Sequence, residues 1–362
     1  MIYLDHNATT PLDERVRDAM LPYLGAFYGN ASGLYRLGRL SRGAIDKARE
    51  QIAALVDAKA SEVIFTSGGT EANNLALKGM AAAQSPGLIL AGSTEHPSVA
   101  EPLKSLTRQG FKLAEFPVDL VGRVDSSVLE RVEPGELRIG TFMLANNETG
   151  IIAERVHELG GVFHVDAVQA VGKIPVDFNA IGADTLTLSS HKIYGPKGVG
   201  ALIKKRDVQL EPLLHGGGQE HGLRGGTENV AGIVGFGKAA ELALSEMEAR
   251  RSHVKVLRHK LEAGLKSQPG VTIFAEEAVR LPNTVLFRTP GYQGEALVMH
   301  LDRQGFALSS GSACASGGGE PSPVLLAMGY DTDMASDAVR VSLGRDNSEA
   351  DVEHLLAAIA AL

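Results

Sequence analysis

Residues 62–74 read Glu62-Val63-Ile64-Phe65-Thr66-Ser67-Gly68-Gly69-Thr70-Glu71-Ala72-Asn73-Asn74. The apolar run predicts a buried strand, and a helix is expected to begin near Thr70. Two glycines between them let the backbone approach a ligand, and the free N–H groups at a helix N-terminus attract phosphate. The stretch therefore predicts a phosphate-binding strand–turn–helix unit. The alternative is an ordinary turn capped by Thr70, with Asn73 behind it.

Strand-like and helical segments alternate on both sides of this unit, which indicates a mostly parallel sheet flanked by helices. Ligands of such α/β sheets gather outside the carboxyl ends of the strands. The further strand candidates are Leu88–Ala91, Phe111–Phe116, Leu137–Ala145, Val162–Val165, Asp184–Leu188 and Val199–Ile203.

The length of 362 residues is sufficient for a large domain with a smaller one. Residues from about 228 to 267 are helical in pattern, and shorter mixed elements follow them. We place the domain change inside this helix: 13–248 form the large domain, and 1–12 with 249–362 form a smaller α+β domain.

Charge and cysteine content exclude several classes of protein. The chain has 35 basic and 43 acidic residues and a net charge of −8, which argues against nucleic-acid binding. The N-terminus has an acid, Asp5, and lacks the apolar core of a signal peptide, and no apolar run reaches the roughly 18 residues of a membrane span. The single cysteine, Cys314, excludes an internal disulfide. We expect a cytoplasmic protein that binds no membrane.

Two polar segments follow predicted strands. The first is His164-Val165-Asp166-Ala167-Val168-Gln169, where a carboxylate at a strand end can pair with a protonated ring nitrogen of a cofactor. The alternative role for Asp166 is to cap the next helix. The second is Ser189-Ser190-His191-Lys192-Ile193-Tyr194-Gly195-Pro196-Lys197-Gly198. Lys192 follows hydroxyls and an imidazole, which suits a Schiff-base nucleophile, whereas Lys197 is expected to be a solvated surface charge.

The only thiol lies in a small-residue segment, Leu308 to Gly319. A loop of this composition can expose a reactive thiol, and the alternative is a tolerated free cysteine. Two other patterns carry no function. Gly235-Phe236-Gly237-Lys238-Ala239-Ala240 resembles a dinucleotide fingerprint but opens a long helix without a second strand. His215 and His221 flank a glycine run rather than one helix face, so we expect no metal.

In their order along the chain, these segments resemble the cysteine desulfurases, the NifS/IscS-like branch of fold-type I pyridoxal-phosphate (PLP) enzymes. The resemblance runs nearly end to end. The matching segments are Tyr3–Pro11, Thr66–Asn74, Thr94–His96, Asn146–Gly150, His164–Gln169, Ser189–Gly198, His215–Glu220, Arg224–Thr227, Ser309–Cys314 and Arg340–Arg345.

The resemblance implies roles for five residues around the cofactor ring. Lys192 would hold PLP covalently. Asp166 would pair with the pyridinium nitrogen and keep the ring an electron sink. Gln169 would bind the phenolic oxygen. His96 would stack on the ring and shuttle protons, and Asn147 would line the substrate side.

The resemblance also implies a phosphate site, a substrate clamp and a shared active site. Thr227 would reach the phosphate from a second subunit, which implies a homodimer, and Arg340 would clamp the substrate carboxylate. The phosphate ligands of the same chain would be Gly69, Thr70, Ser189 and His191.

The implied reaction converts L-cysteine to L-alanine. Cys314, as thiolate, would take the sulfur as a persulfide and deliver it to an acceptor protein, for iron–sulfur cluster assembly or another sulfur-containing product. The runner-up is a related PLP aminotransferase or selenocysteine lyase. A non-catalytic relative would be expected to lack Lys192 or Asp166.

Two departures from the family pattern stand out. The crossover between Asn147 and Asp166 is several residues short at Ile152–Arg155, either as a real deletion or as a missing segment. The sequence also stops at Leu362, without the longer tail of many relatives, which leaves the sulfur acceptor open.

Overall fold

The computed structural model describes residues 1–123, 132–133, 135–144, 161–311 and 320–362. The strands of this part are β1 (Ile2–Tyr3), β2 (Val63–Thr66), β3 (Leu88–Gly92), β4 (Lys112–Phe116), β5 (Leu137–Met143), β6 (Val162–Asp166), β7 (Thr185–Ser189), β8 (Gly200–Lys204), β9 (Thr272–Ile273), β10 (Thr284–Arg288), β11 (Phe306–Ala307), β12 (Ser309–Ser310) and β13 (Val339–Ser342). The helices are α1 (Glu14–Leu24), α2 (Arg36–Leu55), α3 (Gly69–Ala82), α4 (Pro97–Thr107), α5 (Phe178–Ile181), α6 (Val230–Lys266), α7 (Gly294–Arg303), α8 (Pro323–Ala327), α9 (Thr332–Ser336) and α10 (Glu349–Ala360).

The largest sheet of the described part has seven strands in the order β2-β8-β7-β6-β5-β3-β4. Strands β4, β3, β5, β6 and β7 are parallel, which confirms the predicted mostly parallel sheet. Strand β8 is antiparallel to both of its neighbours. The reason is local: a short connection without a crossover helix joins β7 to β8, and parallel pairing needs a longer crossover.

A second, antiparallel sheet has the order β12-β13-β10-β9, and β1 pairs with β11 in a two-stranded parallel sheet. The long helix α6 joins the two regions. Near its start Ile233 and Phe236 lie in the core beneath the large sheet, and near its end Leu257 and Leu261 lie in the core of the antiparallel sheet. The division at residue 248 stays a prediction. No helix of the described ranges is long and apolar enough to cross a membrane.

The glycines of the apparent dinucleotide fingerprint have a packing role inside α6. A Cβ at Gly237 would lie 2.6 Å from the Cα of Ala48 in α2, and one at Gly235 would lie 2.6 Å from the sulfur of Met20 in α1. These distances are too short for real side chains, so the glycines allow α6 to approach both helices closely. The segment lies within a helix that begins at Val230, and it follows no strand.

A buried ion pair fixes the glycine-rich segment 215–227 against β2. Arg49 of α2 contacts Glu220 through two hydrogen bonds of 2.8 Å, and Glu220 also accepts the backbone N–H of Phe65 at 2.8 Å. Glu220 has φ +46°, a left-handed conformation that a non-glycine residue holds only when its surroundings fix it. Arg224 adds an ion pair of 2.9 Å to Glu71 in α3. The segment that carries Thr227 is therefore anchored at two points.

Replacing Arg49 by alanine should lower the free energy of unfolding by about 3–5 kcal/mol, because Glu220 would keep a buried, unpaired charge. Urea denaturation measures the loss. The matched control is Arg17→Ala, whose side chain is 52% exposed and pairs with Asp18 at the surface. That variant should change stability far less than Arg49→Ala, because solvent screens an exposed pair. Equal losses in both variants would contradict the role of the buried pair.

Candidate active site

A cavity of about 310 Å³ opens at the carboxyl ends of the central parallel strands. Its volume is at the lower end of the range for small-molecule sites. Nine of the predicted site residues line it, namely Gly69, Thr70, His96, Asp166, Gln169, Ser189, His191, Lys192 and Arg340. Residues from separate strands meet here because parallel strands end at the same edge of the sheet.

One end of the cavity is a cradle for an anion. Helix α3 begins at Gly69 with Gly68 as its N-cap, and no side chain caps its first N–H groups. The alternative of a turn capped by Thr70 is therefore wrong. A Cβ at Gly69 would lie 3.1 Å from Val168 and 3.5 Å from the Cβ of Ser189, so glycine leaves room there. Ser189 Oγ is buried and has no hydrogen-bond partner among the described residues. Helix dipole, N–H groups and hydroxyl together suit a phosphate.

Asp166 ends β6 and lines the cavity. Its Oδ1 accepts the backbone N–H of Val168 at 2.9 Å, and its Oδ2 accepts Asn73 Nδ2 at 2.8 Å. No helix among the described residues begins directly after it, so Asp166 does not act as a helix cap. The side chain is buried yet held by two donors, as a buried carboxylate requires.

Lys192 follows β7 in a short 3-10 turn, Ser190–Lys192. Its amine donates to the carbonyl oxygens of Asn7 and Ala8, the latter at 2.9 Å. The N-terminal segment thus lies directly against the predicted nucleophile. The neighbouring His191 is neutral, because burial and the charges of Lys192 and Lys197 lower its pKa to about 4.

A second lysine, missed by the sequence analysis, lies beside Lys192. Lys173 Nζ donates to Asn7 Oδ1 and to Gln169 Oε1, each at 2.7 Å. Burial, followed by the charges of Lys192 and Arg340, lowers the pKa of Lys173 well below its usual value. Because Lys173 holds the amide oxygen of Gln169, the Nε2 group of Gln169 is the donor of that side chain. Lys173 therefore lies beside the predicted nucleophile as a buried amine with a reduced affinity for a proton.

Arg340 reaches the cavity from β13 of the antiparallel sheet. Its side chain is only 3% exposed, and one guanidinium nitrogen binds Asp5 Oδ1 at 2.8 Å. Asn7 links the same sheet to the cavity wall, because its backbone N–H binds Ser342 Oγ and its Nδ2 binds Thr284 Oγ1, both at 2.9 Å. The site therefore needs both sheets and the N-terminal segment between them.

His96 is the N-cap residue of α4. Its Nδ1 accepts the backbone N–H of Ser98 at 3.1 Å and lies 2.8 Å from Ser98 Oγ. Burial lowers the pKa of His96, the charge of Asp166 opposes this shift, and the charge of Lys192 adds to it. The net shift is downward, so the imidazole is neutral near pH 7.

Glu95, next to His96, is a buried carboxyl group that the sequence analysis did not assign. Its Oε1 accepts the backbone N–H of Met143 at 2.7 Å, and its Oε2 has no hydrogen-bond partner among the described residues. Burial, assisted by the charge of Asp166, raises the pKa of Glu95 to about 8. Glu95 is therefore protonated at neutral pH. Of these two carboxyl groups, only Asp166 contributes a negative charge to the cavity.

Of the three remaining predicted site residues, the structure describes only Thr227. Thr227 is exposed and does not line the cavity of its own chain. Asn147 and Cys314 lie outside the described residues, as does the crossover at Ile152–Arg155. In the described part of the chain, no group of three histidine, aspartate or glutamate side chains is placed to hold a metal ion.

Asn73 and Ser98 line the cavity without having been assigned to it. The sequence pattern predicted Asn73 only as a residue behind a capped turn, and it predicted no role for Ser98. Their position follows from the packing of α3 beside α4, which the helical period of either segment does not reveal. Lys173 had one signal, its spacing of four residues from Gln169, and the turns after β6 bring the two side chains into contact.

Comparison with known proteins agrees with this geometry. The family model for class-V aminotransferases matches residues 2–355. The cysteine desulfurase IscS of Dictyoglomus turgidum is 42% identical over 365 residues, which cover 98% of this chain and 92% of the relative. The chain belongs to the class-V aminotransferase family and, within it, to the cysteine desulfurases.

Solved structures support the same assignment. A NifS-like protein superposes with a TM-score of 0.93 at 36% identity, over 99% of this chain and 98% of the other. The structure of SspA in complex with cysteine gives a TM-score of 0.84 at 30% identity, over 96% of this chain and all of the other. These likenesses confirm the predicted fold-type I architecture.

The buried carboxyl group of Glu95 predicts a pH-dependent stability. The pKa of Glu95 is about 8 in the folded protein and ordinarily 4.5. Between these two pH values Glu95 is protonated in the folded protein and ionised in the unfolded chain. Its contribution to stability is complete below pH 4.5 and is lost as the pH rises through 8. Urea denaturation from about pH 5 to pH 9 should show the wild type losing several kcal/mol relative to Glu95→Gln.

The control for this experiment is Glu101→Gln, since Glu101 lies on α4 with its side chain 65% exposed. Its difference from the wild type should stay constant over the same range. A constant difference for Glu95→Gln as well would mean that Glu95 is ionised in the folded protein.

Proposed function

We propose that this protein is a PLP-dependent cysteine desulfurase, which converts L-cysteine to L-alanine and passes the sulfur through Cys314 to an acceptor. The observation that carries the proposal is the convergence of Lys192, Asp166 and the anion cradle at Gly69 on one cavity. Family membership supports PLP dependence, and the SspA structure supports cysteine as the substrate.

The residues of the cavity fit each functional group of PLP. The cradle formed by Gly69, Thr70, Ser189 and His191 would hold the phosphate. The buried Ser189 Oγ has no hydrogen-bond partner among the described residues, so it would be available to the phosphate. Asp166 would pair with the pyridine nitrogen, and Gln169 Nε2 would donate to the phenolic oxygen. Lys192 would bind the aldehyde, and His96 would lie against the ring. When bound, PLP supplies an electron sink for the electrons released at the substrate Cα.

Lys192 is the base in the cavity that takes the Cα proton of L-cysteine. Its amine binds two backbone carbonyl oxygens and lies beside the buried amine of Lys173, and this environment supports a reactive amine. Lys173 keeps the Gln169 amide in one orientation and fixes Asn7 over the site. These hydrogen bonds within the protein thus position Asn7 and Gln169 before the reaction.

Arg340 would bind the substrate carboxylate and so orient the amino acid. Asp5, at 2.8 Å, fixes the guanidinium before the substrate arrives. A planar guanidinium binds a carboxylate through two parallel hydrogen bonds, which lysine cannot do. Asn147 would complete the substrate side.

Cys314 would act on the sulfur of the substrate. Its thiolate attacks that sulfur, the bond between sulfur and Cβ breaks, and the S–S bond of a persulfide forms on Cys314. The Cβ of the former cysteine takes up a proton, so L-cysteine and one enzyme thiol give L-alanine and one enzyme persulfide. Atoms and electrons balance without a further oxidant. A protein thiol of an acceptor then removes the sulfane sulfur by thiol exchange.

The active site would be completed by a second copy of the chain. Thr227 is exposed on a segment that two ion pairs anchor, and it does not line its own cavity. This position supports a homodimer in which Thr227 of each chain joins the phosphate site of the other. The acceptor protein, the pathway it supplies and the cytoplasmic location remain part of the proposal.

The activity is tested with PLP-loaded protein, L-cysteine and a thiol reductant. Alanine and sulfide should form in equal amounts. Lys192→Ala should lose covalent PLP, measured by borohydride reduction and mass spectrometry, and at least about 100-fold of the rate. Lys197→Ala is the matched control, because Lys197 is exposed in the same segment, and it should keep both properties. Cys314→Ser should keep the PLP absorbance band and release no sulfide.

Two outcomes would overturn parts of the proposal. A protein that takes up no PLP would remove the assigned reaction. Sulfide release at the wild-type rate by Cys314→Ser would remove the role of the thiol and favour the runner-up, a related PLP enzyme that does not need it.

Replacing Arg340 by alanine should raise the KM for L-cysteine by roughly 10- to 100-fold, the loss expected for a hydrogen-bonded charge pair. Steady-state kinetics of alanine formation measure the change. The matched control is Arg288→Ala on the neighbouring strand β10, since Arg288 does not line the cavity. An unchanged KM for Arg340→Ala would contradict the carboxylate clamp.

A further inference from the structure

Five buried or half-buried polar side chains form a continuous hydrogen-bond chain behind the cavity. It runs from His96 to Ser98, Asn73, His164 and Thr185, and Asn73 also binds Asp166. The chain joins α4, α3, β6 and β7. Its members at the centre, Asn73 and His164, are completely buried.

The direction of each hydrogen bond follows from two fixed ends. A backbone N–H can only donate, and Ser98 donates its own to His96 Nδ1 at 3.1 Å. Nδ1 therefore carries a lone pair. Ser98 Oγ, 2.8 Å from the same nitrogen, must then donate its single hydrogen to it. At the other end, the carboxylate of Asp166 can only accept.

Asn73 joins these two ends. Its Nδ2 group has two hydrogens, one for Asp166 Oδ2 and one for Ser98 Oγ, both at 2.8 Å. Its Oδ1 is then left to accept from His164 Nε2 at 3.0 Å. Turning the amide over would place its oxygen against a carboxylate oxygen, so only one orientation satisfies all the partners.

His164 completes the chain as a neutral imidazole. Burial lowers its pKa to about 4, although the charge of Asp166 opposes the shift. With its proton on Nε2, its Nδ1 accepts the hydroxyl hydrogen of Thr185 at 2.9 Å. The atoms that link these five side chains have mutually consistent donor and acceptor roles, which is the condition for a rigid buried network.

We infer that this chain holds His96 as the tautomer with its proton on Nε2, and that Asn73 is the positioning residue that couples this tautomer to Asp166. The nitrogen of His96 that remains for the cavity is Nε2, which has no hydrogen-bond partner among the described residues. His96 therefore presents a hydrogen-bond donor to the substrate side. The inference rests on the proposed function only for its catalytic meaning: neutral His96 donates a hydrogen bond or a proton, and Lys192 is the base.

The first test is the tautomer itself, measured by long-range proton–nitrogen NMR on protein labelled with ¹⁵N-histidine, both as isolated with PLP and after removal of PLP. The His96 signals are assigned by their loss in His96→Gln. Near pH 7.5 we expect an unprotonated Nδ1 and a protonated Nε2. A proton on Nδ1, or an imidazolium ion, would overturn the inference.

The second test changes the donor to Nδ1. Ser98→Ala removes the hydroxyl and leaves the backbone N–H, so an NMR titration should show the pKa of His96 rising by about half to one unit. Two charged groups act on His96, namely Asp166 and Lys192, and both are unchanged in this variant. Asn73→Ala should move the pKa in the same direction, because Ser98 loses its fixed partner. Ser105→Ala, also on α4 but outside the chain of hydrogen bonds, is the matched control and should leave the His96 signals unchanged.

The outcomes separate this inference from the proposed function. Equal His96 titrations in Ser98→Ala and Ser105→Ala would remove the role of the network, even in an active desulfurase. A protein with the expected tautomer that forms no alanine from cysteine would keep the inference and overturn the proposed function.

Discussion

The structure of the site depends on one constraint, the burial of the Asp166 carboxylate at the edge of a parallel sheet. A buried carboxylate needs donors, and here they are the backbone N–H of Val168 and the amide of Asn73. The second donor comes from α3, whose first turn also forms the anion cradle at Gly69. The same helix therefore fixes two distant parts of one ligand site. Protonation of Glu95 removes a competing charge from beside Asp166.

The N-terminal segment connects the two sheets through Asn7. Its side chain and backbone bind Ser342 and Thr284 of the antiparallel sheet, while Lys173 of the large-sheet region binds its amide oxygen. Lys192 donates to the carbonyl oxygen of the same residue. A site built across two sheets in this way can align a cofactor group held by one with a substrate group held by the other, which is the geometry that catalysis by orientation requires.

The sequence predicted those site residues whose chemistry is visible locally. Lys192 follows a strand and precedes a Gly-Pro turn, and Asp166 ends another strand, so both were assigned from their own neighbourhoods. Asn73 was interpreted only as part of a capped turn, and Glu95 and Lys173 were not assigned. Each of these three has a partner far away in the chain, for example Asn73 in Asp166, 93 residues later, and Lys173 in Asn7. Local pattern contains no information about such contacts.

The sequence alone determined the alternating strands and helices and the mostly parallel sheet, because hydrophobic period and turn residues are local properties. With the resemblance to a known family, it also determined which strand ends carry the lysine, the carboxylate and the glycine cradle. Only the tertiary structure decided that β8 lies between β2 and β7 and that Lys173 lies beside Lys192. The direction of the hydrogen bonds that link Ser98, Asn73 and Asp166 was also set only by the tertiary structure. Pairing direction, burial and hydrogen-bond polarity depend on which groups meet in space, and that is set by the packing of whole elements.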